Sequence, residues 1–218
     1  MQVMQAMNAE RDHLSRRCTA TLCVLLALIA AFGLQHWTRG WSAWTYDELR
    51  VLDAEAGRIQ APPLRLKGSP NALWGDARQP QRVYLVNFIY TRCTSICQAV
   101  GSEYQRMQSA LAAEPAPVHL LSLSIDPHHD SPQTLAAWAQ RQHADPAWWT
   151  VGQASTGLEG EGLLRALRVV VVSDGAEDFV HNGAIHLVDT HGRLLALFDY
   201  TAWPQALRAA RQIAGAKP

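Results

Sequence analysis

The chain has 218 residues, of which 48% are hydrophobic and 17% charged, a balance that suits one globular domain with a full core plus a smaller appendage. Lysine and arginine together number 19, equal to aspartate plus glutamate. No basic stripe interleaved with aromatic residues occurs, so we expect no nucleic-acid partner.

An apolar run without a charged side chain begins at Cys18 and continues to Leu34. Extended to Trp37, it supplies about the 20 residues that span a bilayer, and it predicts an N-terminal transmembrane helix. A cleaved signal peptide and a buried core helix are the alternatives. Cys18 and Cys23 fall inside this run, where a small polarizable side chain packs well, so we interpret both as structural.

The residues that flank the run predict its orientation. Arginines are concentrated on its N-terminal side, at Arg11, Arg16 and Arg17. Only Arg39 follows closely, so the positive-inside rule places the N-terminus in the cytoplasm and the bulk of the chain outside it. An aromatic belt at the headgroups is indicated just beyond the run by Trp37, Trp41 and Trp44.

Four segments are predicted from these signals. A short polar helix over 42–57 is followed by a break at 59–63, after which a globular domain begins near Leu64. The segments are a cytoplasmic tail (1–17), a transmembrane anchor (18–37), a juxtamembrane linker (38–63) and the globular domain (64–218).

Strands and helices alternate along the predicted domain. Strands are predicted over 83–90, 118–125, 148–151, 169–172, 184–188 and 194–198. Helices are predicted over 96–113, 133–142, 158–167 and 204–214. The last two strands form a hairpin around Asp189-Thr-His-Gly192. This order predicts an α/β fold with a mixed sheet flanked by helices, and a strand that leads into a cysteine pair at a helix start is the layout of a thioredoxin-like domain.

Cys93 and Cys97 are the candidate chemical residues. Four residues make one helical turn, so a helix that begins near Thr94 would put both sulfurs on one side, where they could share a soft metal ion or form a strained disulfide. A helix N-terminus favours thiolate, so we expect lowered cysteine pKa values. Two thiolates select copper(I), and a third ligand would also tolerate copper(II). Histidine is the natural third ligand, but the nine histidines leave that choice open.

Other uses of the pair compete with copper. A thiol-disulfide oxidoreductase would use one cysteine to attack a target disulfide and the other to resolve the mixed disulfide. A structural zinc clip is disfavoured, because two thiols and one histidine do not complete a tetrahedral zinc shell. A structural disulfide across so short a loop would stabilise the chain little.

Three sequence blocks resemble the motifs of the SCO/SenC family. They are Tyr90-Thr-Arg-Cys-Thr-Ser-Ile-Cys97, Leu123-Ser-Ile-Asp-Pro-His-His-Asp-Ser-Pro132 and His181-Asn-Gly-Ala-Ile-His-Leu-Val-Asp-Thr-His-Gly192. The resemblance covers about 64–214, and a membrane anchor before that region is also typical of the family. It implies a membrane-tethered, thioredoxin-like copper protein that helps assemble the binuclear copper site of cytochrome c oxidase subunit II.

The resemblance also implies the site. Cys93 and Cys97 would be the sulfur ligands of copper(I) or copper(II), and His181 the nitrogen ligand. Asp126 would be a supporting residue near the site or a strand-ending Asp that hydrogen-bonds its own turn. His186 is a rival ligand that we expect to pack or to face solvent, and two loop histidines, His128 and His129, could assist copper capture.

The implied role is that of a copper metallochaperone more than an enzyme. If the chain is an enzyme, the resemblance and the thiol pair indicate a thiol-disulfide oxidoreductase that keeps target copper-site cysteines reduced. The implied partners are cytochrome c oxidase subunit II or another copper-site protein, a copper donor chaperone and the membrane. The implied location is the bacterial inner membrane, with the C-terminal domain in the periplasm.

Overall fold

A computed structural model describes residues 2–75, 82–93, 96–173, 179–181 and 183–215, and it leaves the side chains of 2–15, 173, 180 and 181 undescribed. The chain divides into two compact units, Met1–Leu52 and Asp53–Pro218.

The first unit contains a long helix, α1 (Gln2–Trp37), and most of α2 (Tyr46–Glu55). Within α1, Arg16–Trp37 has a mean hydropathy of 2.1 and no buried residues in its most apolar stretch, so by length and composition it is able to cross a membrane. The helix begins earlier than the predicted anchor, because residues 2–17 contain no glycine or proline to interrupt it.

Within its described residues, the second unit holds seven strands and four further α-helices. The strands are β1 (Val83–Ile89), β2 (Val118–Ser124), β3 (Trp149–Gly152), β4 (Val171–Ser173), β5 (Phe179–His181), β6 (Ala184–Val188) and β7 (Leu194–Asp199). The helices are α3 (Ile96–Ala113), α4 (Pro132–Arg141), α5 (Gly157–Ala166) and α6 (Trp203–Gly215). The main sheet has the order β3-β2-β1-β6-β7, with β2 parallel to β1 and β3, and β6 antiparallel to β1 and β7. The predicted mixed sheet flanked by helices is therefore confirmed.

The central strand β1 is buried along its whole length. Its side chains point alternately to the two faces of the sheet, and each face has its own hydrophobic core. Leu85 and Ile89 pack in the core that contains α3, α4 and α6. Val86 and Phe88 pack in the core that contains α5 and the chain before β1. The face of α3 that packs on the sheet repeats every three or four residues: Val100, Tyr104, Met107 and Leu111. Because β1 is covered on both faces, the chain that leaves its C-terminal end toward Cys93 starts from a firmly packed strand.

Local signals set two of the predicted boundaries. The Ser131 side chain accepts from the Thr134 amide at 3.1 Å and Pro132 occupies the first position of α4, as predicted. Asp189 Oδ1 accepts from the amide of Arg193 at 2.9 Å inside the β6–β7 turn, which confirms the predicted hairpin.

The compact unit begins at Asp53, earlier than the predicted domain start near Leu64. Ile59 and Ala61 are each only 2% exposed and belong to the core on one face of the sheet. The Ala61 amide also donates to the Gly192 carbonyl at 2.8 Å. These contacts make part of the predicted linker an integral piece of the globular unit.

A second, two-stranded sheet lies outside the main one and differs from the prediction. β4 pairs antiparallel with β5, and His181 is the last residue of β5, opposite Val171. The sequence predicted a strand over 169–172 and no strand at 179–181. Val169 instead closes the turn after α5, where its amide donates to the Leu164 carbonyl at 2.8 Å.

Candidate functional site

The two cysteines lie where β1 turns into α3. The turn after β1 is closed by the Cys93 amide, which donates to the Tyr90 carbonyl at 3.1 Å. The described helix begins at Ile96, so Cys93 precedes α3 and Cys97 is its second residue. Both are reduced thiols, not joined in a disulfide, and they are 2% and 1% exposed respectively. The pair is therefore preformed at a helix start but covered by the surrounding protein.

A hydrogen bond joins the backbone of one cysteine to the sulfur of the other. The Cys97 amide donates to Cys93 Sγ at 3.3 Å, a contact that favours an anionic sulfur at position 93. The pKa of Cys97 is raised far above its usual value, first by its hydrogen bond with Cys93, then by burial and by the charges of Cys93 and Asp130. The prediction that the helix start lowers the cysteine pKa values is therefore wrong for Cys97. A metal ion or a disulfide at this site must displace a firmly held proton.

Asp130 holds the turn that precedes Cys93 in place through hydrogen bonds. Its role was not predicted from the sequence. Its side chain is fully buried and accepts from the Thr91 amide at 3.2 Å, from Thr91 Oγ1 at 2.5 Å and from Ser124 Oγ at 2.6 Å. These bonds tie the cysteine turn to the end of β2. Its place in the same motif block as Asp126 could have indicated that Asp130 also supports the site.

Asp126 is joined to the cysteine turn through Arg92. Arg92 Nη2 lies 2.9 Å from Asp126 Oδ2, and His129 Nδ1 lies 2.9 Å from Asp126 Oδ1. Burial raises the pKa of Asp126, but hydrogen bonds from His129 and Arg92 outweigh it and hold the pKa below its usual value. Asp126 also accepts from the His129 amide in its own turn at 3.4 Å, as predicted for a strand-ending Asp, and its ion pair holds Arg92, the residue before Cys93.

The chain on both sides of His181 contacts the cysteine turn. Two residues before it, Phe179 accepts at its carbonyl from the Tyr90 hydroxyl at 3.3 Å, and the two rings lie 5.3 Å apart. Two residues after it, Gly183 lies so close to α3 that an added Cβ would be 3.3 Å from Ile96 Cγ1. The His181 side chain itself lies outside the described residues. The described backbone nevertheless places the start of the third motif block beside the first block.

The other candidate histidines have separate surroundings. His186 is fully buried in β6, with Nδ1 3.1 Å from the Val86 carbonyl and its ring 5.2 Å from that of Phe88, so it packs as predicted. His128 and His129 are exposed in the loop after β2. Among the side chains that the structure describes, no group of three or more His, Cys, Asp or Glu is arranged to hold a metal ion.

The fold and the site together define a thioredoxin-like protein with a buried Cys-x-x-x-Cys pair at the start of its first sheet-packed helix. A family model described as SCO1/SenC matches residues 69–215, which is more than half of the chain. The chain belongs to the SCO1/SenC family, as the three motif blocks indicated.

Known relatives agree with this assignment. The SCO1 protein homolog of Bacillus subtilis (strain 168) is 28% identical over 115 residues, a match that spans 52% of this chain and 60% of the relative. The structure of BsSco, a member of the Sco family of cytochrome c oxidase assembly proteins, has a TM-score of 0.61 at 21% identity and covers 73% of this chain and 95% of its own. Copper-bound ScoI of Bradyrhizobium japonicum has a TM-score of 0.54 at 22% identity, with coverages of 71% and 99%. At these identities the two structures establish a shared fold.

Proposed function

We propose that the chain is a membrane-anchored copper metallochaperone that binds copper through Cys93, Cys97 and His181 and delivers it for assembly of the cytochrome c oxidase binuclear copper site. One observation carries the proposal: two reduced thiols lie four residues apart at the start of α3, and the backbone on both sides of His181 packs against that region. Two thiolates and an imidazole form a donor set suited to copper in either oxidation state. Membership of the SCO1/SenC family and the copper bound by ScoI support it.

Copper is the cargo of this site, and its uptake is linked to protons. Because the pKa of Cys97 is raised, copper must displace the Cys97 proton when both sulfurs bind. Copper uptake therefore strengthens as the pH rises, and a competing proton helps to release the metal. Asp130 and Asp126 hold the turn that carries Cys93, so the first sulfur stays in place while the second is deprotonated.

The proposed location is the bacterial inner membrane. The helix Arg16–Trp37 would be its single span, with the N-terminus in the cytoplasm and the globular unit in the periplasm, as the arginine distribution predicts. Free thiols tend to oxidise in that compartment, so the pair needs either bound copper or a reducing partner. The proposed partners are a copper donor chaperone and cytochrome c oxidase subunit II or another copper-site protein.

His181→Ala tests the nitrogen ligand. We expect the variant to keep copper(I) on the two sulfurs but to lose the copper(II) charge-transfer spectrum of the parent, because a two-thiolate site without imidazole suits only the softer ion. The measurement is the optical and electron paramagnetic resonance spectrum after loading with one equivalent of copper(II). His128→Ala, at an exposed histidine, is the matched control. An unchanged copper(II) spectrum in His181→Ala removes His181 from the site.

A second function, thiol-disulfide reduction, is favoured by the asymmetry of the pair. The Cys97 amide supports an anionic Cys93 sulfur, whereas Cys97 holds its proton. Cys93 thiolate would attack a target disulfide and release one target thiolate, and Cys97, on losing its proton, would attack Cys93 Sγ and release the second. The target gains two electrons and the pair becomes a disulfide. A pair potential too oxidising for the reductants of its compartment would exclude this function.

A further inference from the structure

Three glutamines link the start of α3 to the end of α4, and we refer to Gln98, Gln105 and Gln142 as the glutamine clamp. Gln142, at the C-cap of α4, donates from Nε2 to Gln98 Oε1 at 3.0 Å. Its Oε1 accepts from Gln105 Nε2 at 3.1 Å. Gln98 and Gln105 are seven residues apart on α3, so they lie on one face of that helix, two turns from each other.

The clamp is closely fitted to the helix surface. Gln142 is only 4% exposed, and its amide lies directly against Gly101, where an added Cβ would overlap the amide oxygen. A buried amide is costly to leave without hydrogen-bond partners, so both bonds of Gln142 contribute to holding α3 and α4 together. The glycine at 101 is what allows this close approach.

Gln98 is the residue directly after Cys97 and lies in the first turn of α3. The first turn of a helix lacks internal partners for its amides and belongs to the parts of a protein that open most easily. A bond from Gln98 to a buried residue of another helix opposes that opening. The two cysteines are almost fully covered, so a reagent reaches either sulfur only when the surrounding protein opens, and Cys97 itself lies in the first turn of α3.

We infer that the glutamine clamp positions Cys97: it holds the first turn of α3 closed and thereby limits the access of reagents and metal ions to the thiol pair. Gln98 and Gln142 act through the helix backbone, and the hydrogen bonds described for their side chains join them to other glutamines. The thiol-access part of this inference stands on the contacts alone. Its consequence for copper, a slower exchange of the metal, rests on the proposed copper-binding function.

Gln98→Ala and Gln142→Leu test the inference. In the reduced, metal-free chain, the rate of iodoacetamide alkylation at Cys93 and Cys97 is followed by mass spectrometry that resolves each cysteine. We expect both variants to raise the rate at Cys97 about fivefold, the factor that corresponds to one net hydrogen bond. Gln98→Ala removes the same hydrogen bond from the folded state, so its urea midpoint is expected to fall slightly, by the contribution of one net hydrogen bond, while the chain stays folded. On the proposed function, copper(I) transfer to a chelator accelerates by the same factor.

Gln108→Ala is the matched control. Gln108 also joins α3 to the loop after α4, because its Nε2 donates to the His143 carbonyl at 2.9 Å and its Oε1 accepts from the Asp145 amide at 2.7 Å. It lies three turns from Cys97, so we expect no change in the alkylation rate. Equal rates in the parent and the clamp variants would overturn the inference, as would an equal rise in all three variants. If the parent binds no copper, the proposed function fails, and the alkylation rates still decide the role of the clamp.

Discussion

Cys97→Ser is expected to lower the copper(I) affinity of the chain by more than about a hundredfold, because it leaves one sulfur in a site that depends on two. A hydroxyl is a hard donor that competes poorly for copper(I), and the substitution changes the side-chain volume little. The affinity is measured by competition with a chromogenic copper(I) chelator at fixed pH. Since Cys97 lies in the core at the start of α3, the circular dichroism spectrum of the variant establishes that it is folded.

Cys23→Ser provides the matched control for this substitution. Cys23 is a free thiol in α1, within the apolar stretch and outside the globular unit. We expect its copper affinity to equal that of the parent. A folded Cys97→Ser variant that binds copper(I) as tightly as the parent would contradict the assignment of the pair as ligands.

Asp130→Ala is expected to reduce the free energy of unfolding of the globular unit by about 4 kcal/mol, since it leaves three buried or half-buried donors without their acceptor. Those donors are the Thr91 amide, the Thr91 hydroxyl and the Ser124 hydroxyl. Asp130→Asn keeps the shape and one acceptor oxygen, so we expect a smaller loss of about 2 kcal/mol. Urea unfolding of the Asp53–Pro218 unit, followed by tryptophan fluorescence, measures both.

Asp199→Ala separates this effect from the ordinary cost of losing a capping carboxylate. Asp199 accepts from the Thr201 amide at 2.8 Å in an exposed turn, where water replaces the lost acceptor. Its loss is expected to cost about 1 kcal/mol or less. If Asp130→Ala costs no more than Asp199→Ala, the buried carboxylate does not hold the cysteine turn.

The parts of the fold that local sequence determines were predictable. Apart from Asn87, β1 consists of β-branched, aromatic and other apolar residues, and its burial on both faces follows from that composition. α4 starts where Ser131 caps it and Pro132 sets its first turn. The β6–β7 hairpin follows from the Asp189-to-Gly192 turn. In each case the residues that decide the structure are neighbours in sequence.

The parts that depend on distant contacts were not predictable in this way. Ile59 and Ala61 look like linker, and only their packing against the sheet makes them core. The three-residue strand β5 gives too short a pattern to detect, and its pairing with β4 defines it.

The chemistry of the site was likewise predictable only where it depends on local sequence. The spacing of Cys93 and Cys97 indicated a shared site, and the helix start indicated stabilised thiolates. The raised pKa of Cys97 arises from burial, from the neighbouring sulfur and from Asp130, which lies 33 residues away in sequence and beside the turn in space. The motif blocks predicted which residues form the site, whereas the raised pKa of Cys97 depends on their three-dimensional arrangement.

X-ray absorption at the copper edge, on the chain loaded with one equivalent of copper(II), tests the central claim most directly. We expect two sulfur ligands and one imidazole nitrogen around the copper ion. We expect the sulfur signal to be lost in a Cys93→Ser, Cys97→Ser double variant. A copper site with only nitrogen and oxygen ligands, or one unchanged in the double variant, would contradict it.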